Sequence, residues 1–389
     1  MKKLIVLFSA VAALAACSKN ETVPAVSGEN VEISYKVAPR TKADADPKAF
    51  NTDNMFASWA YYLPSGKNWS ADWEGVRENA KPYIGEEFVG STISYKDGVW
   101  KDQTTSYYWP KGGKLTFFAY SLNSKTLPNQ DHSDTFFHCL NTKDAYGISG
   151  MLNLDTHPNT DFLVADIAPD KTTNESKYNF IGVPTLFKHR LSRIKFAVKK
   201  KADYANATIT LNSITFKNLL NAMVYTQFHK SGDSFSEYMH IPEVTSRSTQ
   251  EYTKTDFEVA STEFVSIPDA KEVRYIYIPQ DFKNVTDESK IATIEVKYTI
   301  SHKVGENDFK EVCTKILNVK DIFDNWDMGK RYTFNLIFSL DEINWAPAVG
   351  DWVDGNKAND VEIKNPENVE TVVDTPIQAD GDTTTDEQF

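Results

Sequence analysis

The sequence predicts an all-β protein built as two antiparallel β-sandwiches in tandem, and three observations carry that reading. Apolar residues recur two apart with polar residues between them, which is the period of a strand with one buried face. The composition favours sheets: 23 Phe, 18 Tyr and 8 Trp stand against 6 Met in 389 residues, and aromatic rings suit a half-buried pleated surface. Gly, Pro, Asn and Asp punctuate the alternating runs, as turns between antiparallel strands require.

Taken in order, residues 1–16 read as a signal peptide. Lys2 and Lys3 precede the apolar run 4–16, which is too short to cross about 30 Å of hydrocarbon as a helix. Leu14, Ala15, Ala16 and Cys17 resemble the bacterial lipobox, in which the cysteine thiol is acylated and becomes the new N-terminus. The competing reading is plain cleavage after Ala16 with Cys17 left as a thiol. Acyl chains contribute about 0.8 kcal/mol per buried CH₂, so lipid on Cys17 would anchor the chain to the outer membrane without spanning it. Residues 17–30 are polar and free of aromatics, the composition of a tether. Glu21, close behind Cys17, loosely resembles a lipoprotein surface-export signal.

The first strand follows, with Val31, Ile33, Tyr35 and Val37 on one face and Glu32, Ser34 and Lys36 on the other. The same rhythm recurs in Leu115, Phe117 and Ala119, and in Ile194, Phe196 and Val198 against Arg193, Lys195 and Lys199. It returns in Ile294, Val296, Tyr298 and Ile300, and in Tyr332, Phe334, Leu336, Phe338 and Leu340. Short helices are expected near 52–62 and 319–326. The polar stretch 168–179 and Pro184 place a boundary between an N-terminal sandwich, 31–183, and a C-terminal one, 184–353, with an acidic tail at 354–389.

The net charge of −12 disfavours nucleic acid as a partner, because phosphate recognition needs clustered Lys and Arg. Ten acidic and two basic residues in the tail put −8 of that charge there, so the body is only mildly acidic. Cys139 and Cys313 can pair in an exported chain; their separation favours two separate thiols.

No compact catalytic motif is present, neither Gly-x-Ser-x-Gly nor His-Glu-x-x-His nor a phosphate-binding Gly-x-x-x-x-Gly-Lys. No Cys or His spacing suggests a metal, no cofactor is implied, and an enzyme is not expected. His189 sits between Lys188 and Arg190, whose charges oppose its protonation, and it reads as structural. Trp69 and Trp73, in Asn-Trp-Ser-Ala-Asp-Trp, are candidates for a glycan platform; the competing reading has them sealing a sandwich end.

Four segments in order resemble the fimbrillin family of Bacteroides and Porphyromonas-type bacteria. They are Tyr107-Tyr108-Trp109-Pro110 running into Leu115-Thr116-Phe117-Phe118-Ala119-Tyr120, then Asp161-Phe162-Leu163-Val164-Ala165. After these come Phe187-Lys188-His189-Arg190-Leu191-Ser192-Arg193-Ile194 and the closing run from Tyr332 to Trp345. The resemblance implies two transthyretin-like sandwiches, made as a lipoprotein precursor and assembled with other pilus subunits into a surface fimbrium that adheres to a host or bacterial ligand. It also implies a cut after an arginine in a loop, removal of the first strand, and its replacement by a strand from a neighbouring subunit.

Arg40, followed by Thr41, stands at the family's cleavage position, beyond a proline that interrupts pairing; an ordinary loop arginine is the alternative. Val369, Thr371, Val373, Thr375 and Ile377 form one face of a candidate donor strand, against the alternative of a solvated tail. The other functional reading is an anchored cell-surface glycan-binding lipoprotein.

Overall fold

The computed structural model describes residues 31–37, 50–69, 71–72, 82–127, 136–142, 145–156, 160–173, 182–230, 234–241, 247–253, 256–268, 275–304, 306–340 and 343–351. The first part of the chain forms β1 (Tyr35–Val37), β2 (Phe56–Leu63), β3 (Ser91–Lys96), β4 (Val99–Asp102) and β5 (Lys114–Ser121). Next come β6 (Phe136–Asn141), β7 (Ala145–Asn153), β8 (Leu163–Ala165), β9 (Ala168–Lys171), β10 (Val183–Thr185) and β11 (Phe187–His189). The long strands β12 (Ser192–Lys200), β13 (Ala207–Leu220), β14 (Ala222–Lys230), β15 (Ser234–His240) and β16 (Arg247–Thr253) follow. Four short ones, β17 (Phe257–Glu258), β18 (Val265–Ser266), β19 (Ile276–Tyr277) and β20 (Gln280–Asp281), precede β21 (Thr293–Val304) and β22 (Asn307–Asn318). The last are β23 (Asn325–Trp326), β24 (Lys330–Phe338) and β25 (Ile343–Asp351). The protein is all-β.

The first sheet runs β10-β1-β4-β3-β2-β5-β8-β11, with β9 also on β5. One face of β2 and β5, carrying Trp59, Tyr61, Phe118 and Tyr120, packs on Tyr146, Ile148, Met223 and Tyr225 of a four-stranded sheet ordered β15-β14-β7-β6. The two ends of the first sheet, β10 and β11, are separated along the chain by Leu186 alone. The sheet therefore curls, and its concave side encloses a second cluster of Ile33, Tyr35, Phe56, Trp100, Phe117, Val183 and Phe187.

A further pair of sheets packs face to face, β18-β12-β24-β25 against β16-β13-β21-β22. Ile194, Phe196, Phe334 and Leu336 meet Leu211, Phe216, Ile294 and Val296 across it. The alternation in β12, β21 and β24 is thus the imprint of a sandwich with one wet face per sheet.

Four expectations need correction. Residues 52–62 hold β2 instead of a helix: Phe56-Ala-Ser-Trp-Ala-Tyr-Tyr-Leu63 is apolar on both faces because the sheet is covered on both sides. Residues 319–326 hold a single 3₁₀ turn, Val319–Asp321, and then β23. β24 stops at Phe338, and Leu340 is exposed. The break at 183/184 falls inside β10, which pairs with β1, and the stretch 168–179 contains β9. The later hairpin β14–β15 returns to pair with β7, so the two halves of the chain interlock.

Candidate functional site

The site is the slot that holds residues 31–37. β1 lies between β10, its parallel partner with Tyr35 opposite Val183 and Val37 opposite Thr185, and β4, where Tyr35 is opposite Trp100. The main chain ahead of β1 is docked too: Ile33 N–H donates to the Tyr107 carbonyl at 2.7 Å, and Trp109 N–H donates to the Val31 carbonyl at 2.9 Å. On the other side Val183 N–H donates to the Ser34 carbonyl at 2.7 Å. Both edges of the segment are satisfied, as a buried strand requires.

The alternation read from the sequence sets the side chains. Ile33 and Tyr35 are each 4% exposed, while Val31 and Val37 are half-buried. The Tyr35 ring meets Phe56 and Phe117 edge-on at 5.3 and 5.9 Å. Its hydroxyl donates to Ser58 Oγ at 3.0 Å, and Ser58 donates onward to the Phe118 carbonyl. Burial pushes the Tyr35 phenol above its usual range.

On the opposite face Lys36 is exposed, and Glu32 accepts hydrogen bonds from Lys101 at 2.7 Å and from Ser106 at 2.8 Å. Those two bonds, that from Lys101 first, hold the Glu32 carboxyl below the ordinary carboxylate range. Gly182 has φ +127°, and a Cβ there would lie 2.8 Å from the Tyr35 carbonyl carbon. Only glycine admits that approach.

Three of the four motif segments contribute to this slot or to the core it closes, whereas the closing run lies in β24 and β25 of the other sandwich. Tyr107 and Trp109 dock residues 31–33, and Leu115, Phe117 and Ala119 line the enclosed core. β8 pairs antiparallel with β11, and His189 Nδ1 lies 2.6 Å from Asp161 Oδ1 with both residues buried. Asp161 also accepts from the Asn123 amide, which in turn accepts from Asn54. His189 is therefore a fastener between two strands of the sheet.

Trp69 is not a glycan platform: it is 3% exposed and stacks on Tyr146 at 4.4 Å, so its face is already covered. Trp73, Cys17, Arg40, Thr41 and Val369, Thr371, Val373, Thr375 and Ile377 lie outside the described residues. Cys139 and Cys313 are not joined in a disulfide. Sequence reasoning missed Trp100, Gly182 and β10 as partners of the first strand. Pro184 was the available signal, since proline in a strand marks an edge, and it stands on the outermost strand of the first sheet.

No curated protein matches the chain. Among solved structures, a fimbrial protein from Bacteroides vulgatus superposes with a TM-score of 0.59 at 18% identity, covering 83% of this chain and 100% of that one. That likeness shows the fold. A putative cell adhesion protein from Bacteroides uniformis is similar at 12% identity with a TM-score of 0.41, covering 83% of this chain and 98% of that one. The tip fimbrial protein Mfa3 from Porphyromonas gingivalis is similar at 10% identity with a TM-score of 0.31, over the same shares of the two chains. Residues 65–352 match the fimbrillin-like family, a span that takes in all four motif segments and most of both sandwiches, and the chain belongs to that family.

Proposed function

We propose that the protein is a structural subunit, stalk or tip, of a bacterial surface pilus, exported as a lipoprotein and joined to its neighbours by proteolysis and strand exchange, with a role in cell adhesion. The observation that carries this reading is the placement of β1. It is an internal strand near the beginning of the chain, and its neighbours β4 and β10 pair with it and not with each other. Its removal would leave a gap within a sheet.

In this reading lipid on Cys17 holds the precursor at the outer membrane, and the tether 17–30 presents the fold at the cell surface. A cut between Arg40 and Thr41 then frees residues 31–37. The vacated slot exposes the pockets of Ile33 and Tyr35, each worth roughly 1.5–3 kcal/mol of burial, together with unpaired backbone on β4 and β10. Such a gap recruits a strand. The face Val369, Thr371, Val373, Thr375 and Ile377 of a neighbouring subunit repeats the alternation of Val31, Ile33, Tyr35 and Val37 and is the proposed donor. The role is structural and no catalysis is assigned; the partners are other pilus subunits and, at a tip, a surface ligand.

The test is limited digestion of the full chain with a trypsin-like protease. The expected product begins at Thr41, loses 31–40 and forms multimers that resist detergent and dissociate on heating. Deleting 361–389, or placing a charge in the donor with Val373→Asp, should stop multimer growth and leave the sandwiches folded. A cut subunit that sheds 31–40 and stays monomeric at high concentration would overturn the reading.

A further inference from the structure

Several sheet edges in this protein are blunted, in different ways. β10 carries Pro184 and β25 carries Pro347. β16 is broken by register shifts against β13, β18 has two residues, and β6 is met by the 85–90 loop, where Cys139 N–H donates to the Glu87 carbonyl. β22 has none of these devices. It pairs with β21 over twelve consecutive positions, Asn307 to Asn318, without a shift, contains no proline, and has no second partner among the described residues. It also exposes apolar side chains, with Phe309 48%, Val312 72% and Ile316 56% accessible. A long, flat, apolar edge is a template for strand addition.

The sequence of β22 indicates what adds there. Phe309, Glu311, Cys313, Lys315 and Leu317 alternate along one face. Within the chain, Glu311 is opposite Ile300 and Lys315 opposite Val296, so neither charge is answered in its own sheet, and among the described residues neither forms an ion pair. The strand is complementary to itself about Cys313. When two copies lie antiparallel with Cys313 opposite Cys313, each Glu311 faces Lys315 of the other copy and each Phe309 faces Leu317. On the reverse face Val312 then meets Thr314.

We infer that β22 is a self-pairing edge, through which two copies of this chain join by a two-fold antiparallel contact into one continuous sheet. Such a contact is isologous and closes on itself, whereas strand exchange through the first-strand slot is head-to-tail. It requires no removal of β1 and stands apart from the proposed assembly route. Its role is lateral, pairing one subunit with a subunit beside it.

The charges supply the test. Full-length chain carrying Cys17→Ser is studied by sedimentation over a range of concentrations and by treatment with diamide. Directly opposed residues of antiparallel strands have Cα atoms about 4.5–5.5 Å apart, within the span of a disulfide. Two Cys313 thiols therefore give up two protons and two electrons to diamide, which is reduced to its hydrazine, and an S–S bond forms.

The expected result is a concentration-dependent dimer cross-linked through Cys313, with Cys313→Ser still dimeric but no longer cross-linked. Glu311→Lys and Lys315→Glu should each weaken dimerisation at least tenfold, since like charges then oppose one another twice. Mixed together, the two single variants should form heterodimers, and the double exchange Glu311→Lys with Lys315→Glu should restore the homodimer. Misfolded variants would not recover on mixing, so the recovery reports pairing. A chain that is monomeric throughout, a dimer indifferent to the reversals, or a dimer that appears only when the chain is ended at residue 351, which would mean that the tail covers the edge, each overturns the inference.

Discussion

At Gly182 the main chain passes so close to β1 that an added Cβ would lie 2.8 Å from the Tyr35 carbonyl carbon and 2.9 Å from the Lys36 nitrogen. Neither backbone atom can swing aside, and φ of +127° already excludes ordinary side chains. Gly182→Ala is expected to cost about 1–3 kcal/mol, measured by urea unfolding of the full chain, and to speed proteolysis after Arg40 because β1 seats less firmly. Unchanged stability would mean that β10 shifts without cost. The buried phenols give a second expectation. Burial, as the first cause, raises Tyr35, Tyr120 and Tyr225 above the usual phenol range, and pushes Tyr298 up to about 12. An unfolded tyrosine ionises near 10 (roughly), so the folded state binds these protons more tightly. Their contribution to stability is whole below that pH and is lost as pH rises through the folded-state values. Alkaline titration should show the tyrosinate absorbance of these groups rising together with the loss of sheet ellipticity; full ionisation of every tyrosine near pH 10 with the sheet intact would contradict it.

At the scale of the element, β1 is held by backbone bonds on both edges and by two side chains in the enclosed core, and these contributions can be separated. Ile33→Ala leaves the bonds to Tyr107 and Trp109 in place and empties one pocket. It is expected to cost about 2–5 kcal/mol in chemical unfolding and to hasten loss of residues 31–40 after the proposed cut at Arg40. A variant that retains the strand as long as the wild type would show that backbone pairing alone governs its release. The face of β1 was legible because alternation survives wherever one side of a strand is polar, and β12, β21 and β24 were legible for the same reason. β2 was not, since a strand with core on both sides carries no polar marks and its length suits a short helix equally well. The partners of β1 were illegible for a different reason. Trp100, Gly182 and Tyr107 reach it through pairings between segments far apart in the chain, and no local pattern records which strand lies beside which.

At the scale of the whole molecule, the crossover of the chain decides what can fold alone. β13 belongs to the second sandwich, Asn221 alone separates it from β14, and β14 enters the four-stranded sheet of the first, beside β7 over nine positions. Met223 and Tyr225 of β14 sit in the same core as Trp59, Tyr61 and Phe118. The junction is fastened from both sides. Arg190, buried between β11 and β12, donates to Glu237 of β15 at 2.8 Å, and Asp155, just beyond β7, accepts from Gln250 of β16 at 3.0 Å. A fragment of residues 31–183 therefore lacks β11, β14 and β15, with the inner face of its first sheet half covered, and it should collect as a compact but loosely packed species that binds hydrophobic dye. The complementary fragment 184–351 carries β14 and β15 with Met223 and Tyr225 uncovered, and it should aggregate. The span 31–351 should instead unfold in one transition by fluorescence and by circular dichroism, because the core under β2 and β5 takes Leu191, Met223, Tyr225, Ile276 and Ile278 from the later half of the chain and so couples the two sandwiches. If the two fragments each show sharp, independent unfolding, the sandwiches are separable and the hairpin is dispensable to the first. If they do not, the first sandwich cannot close until the chain is extended through residue 240, and the seating of β1, which any cut after Arg40 must act upon, follows the arrival of both halves.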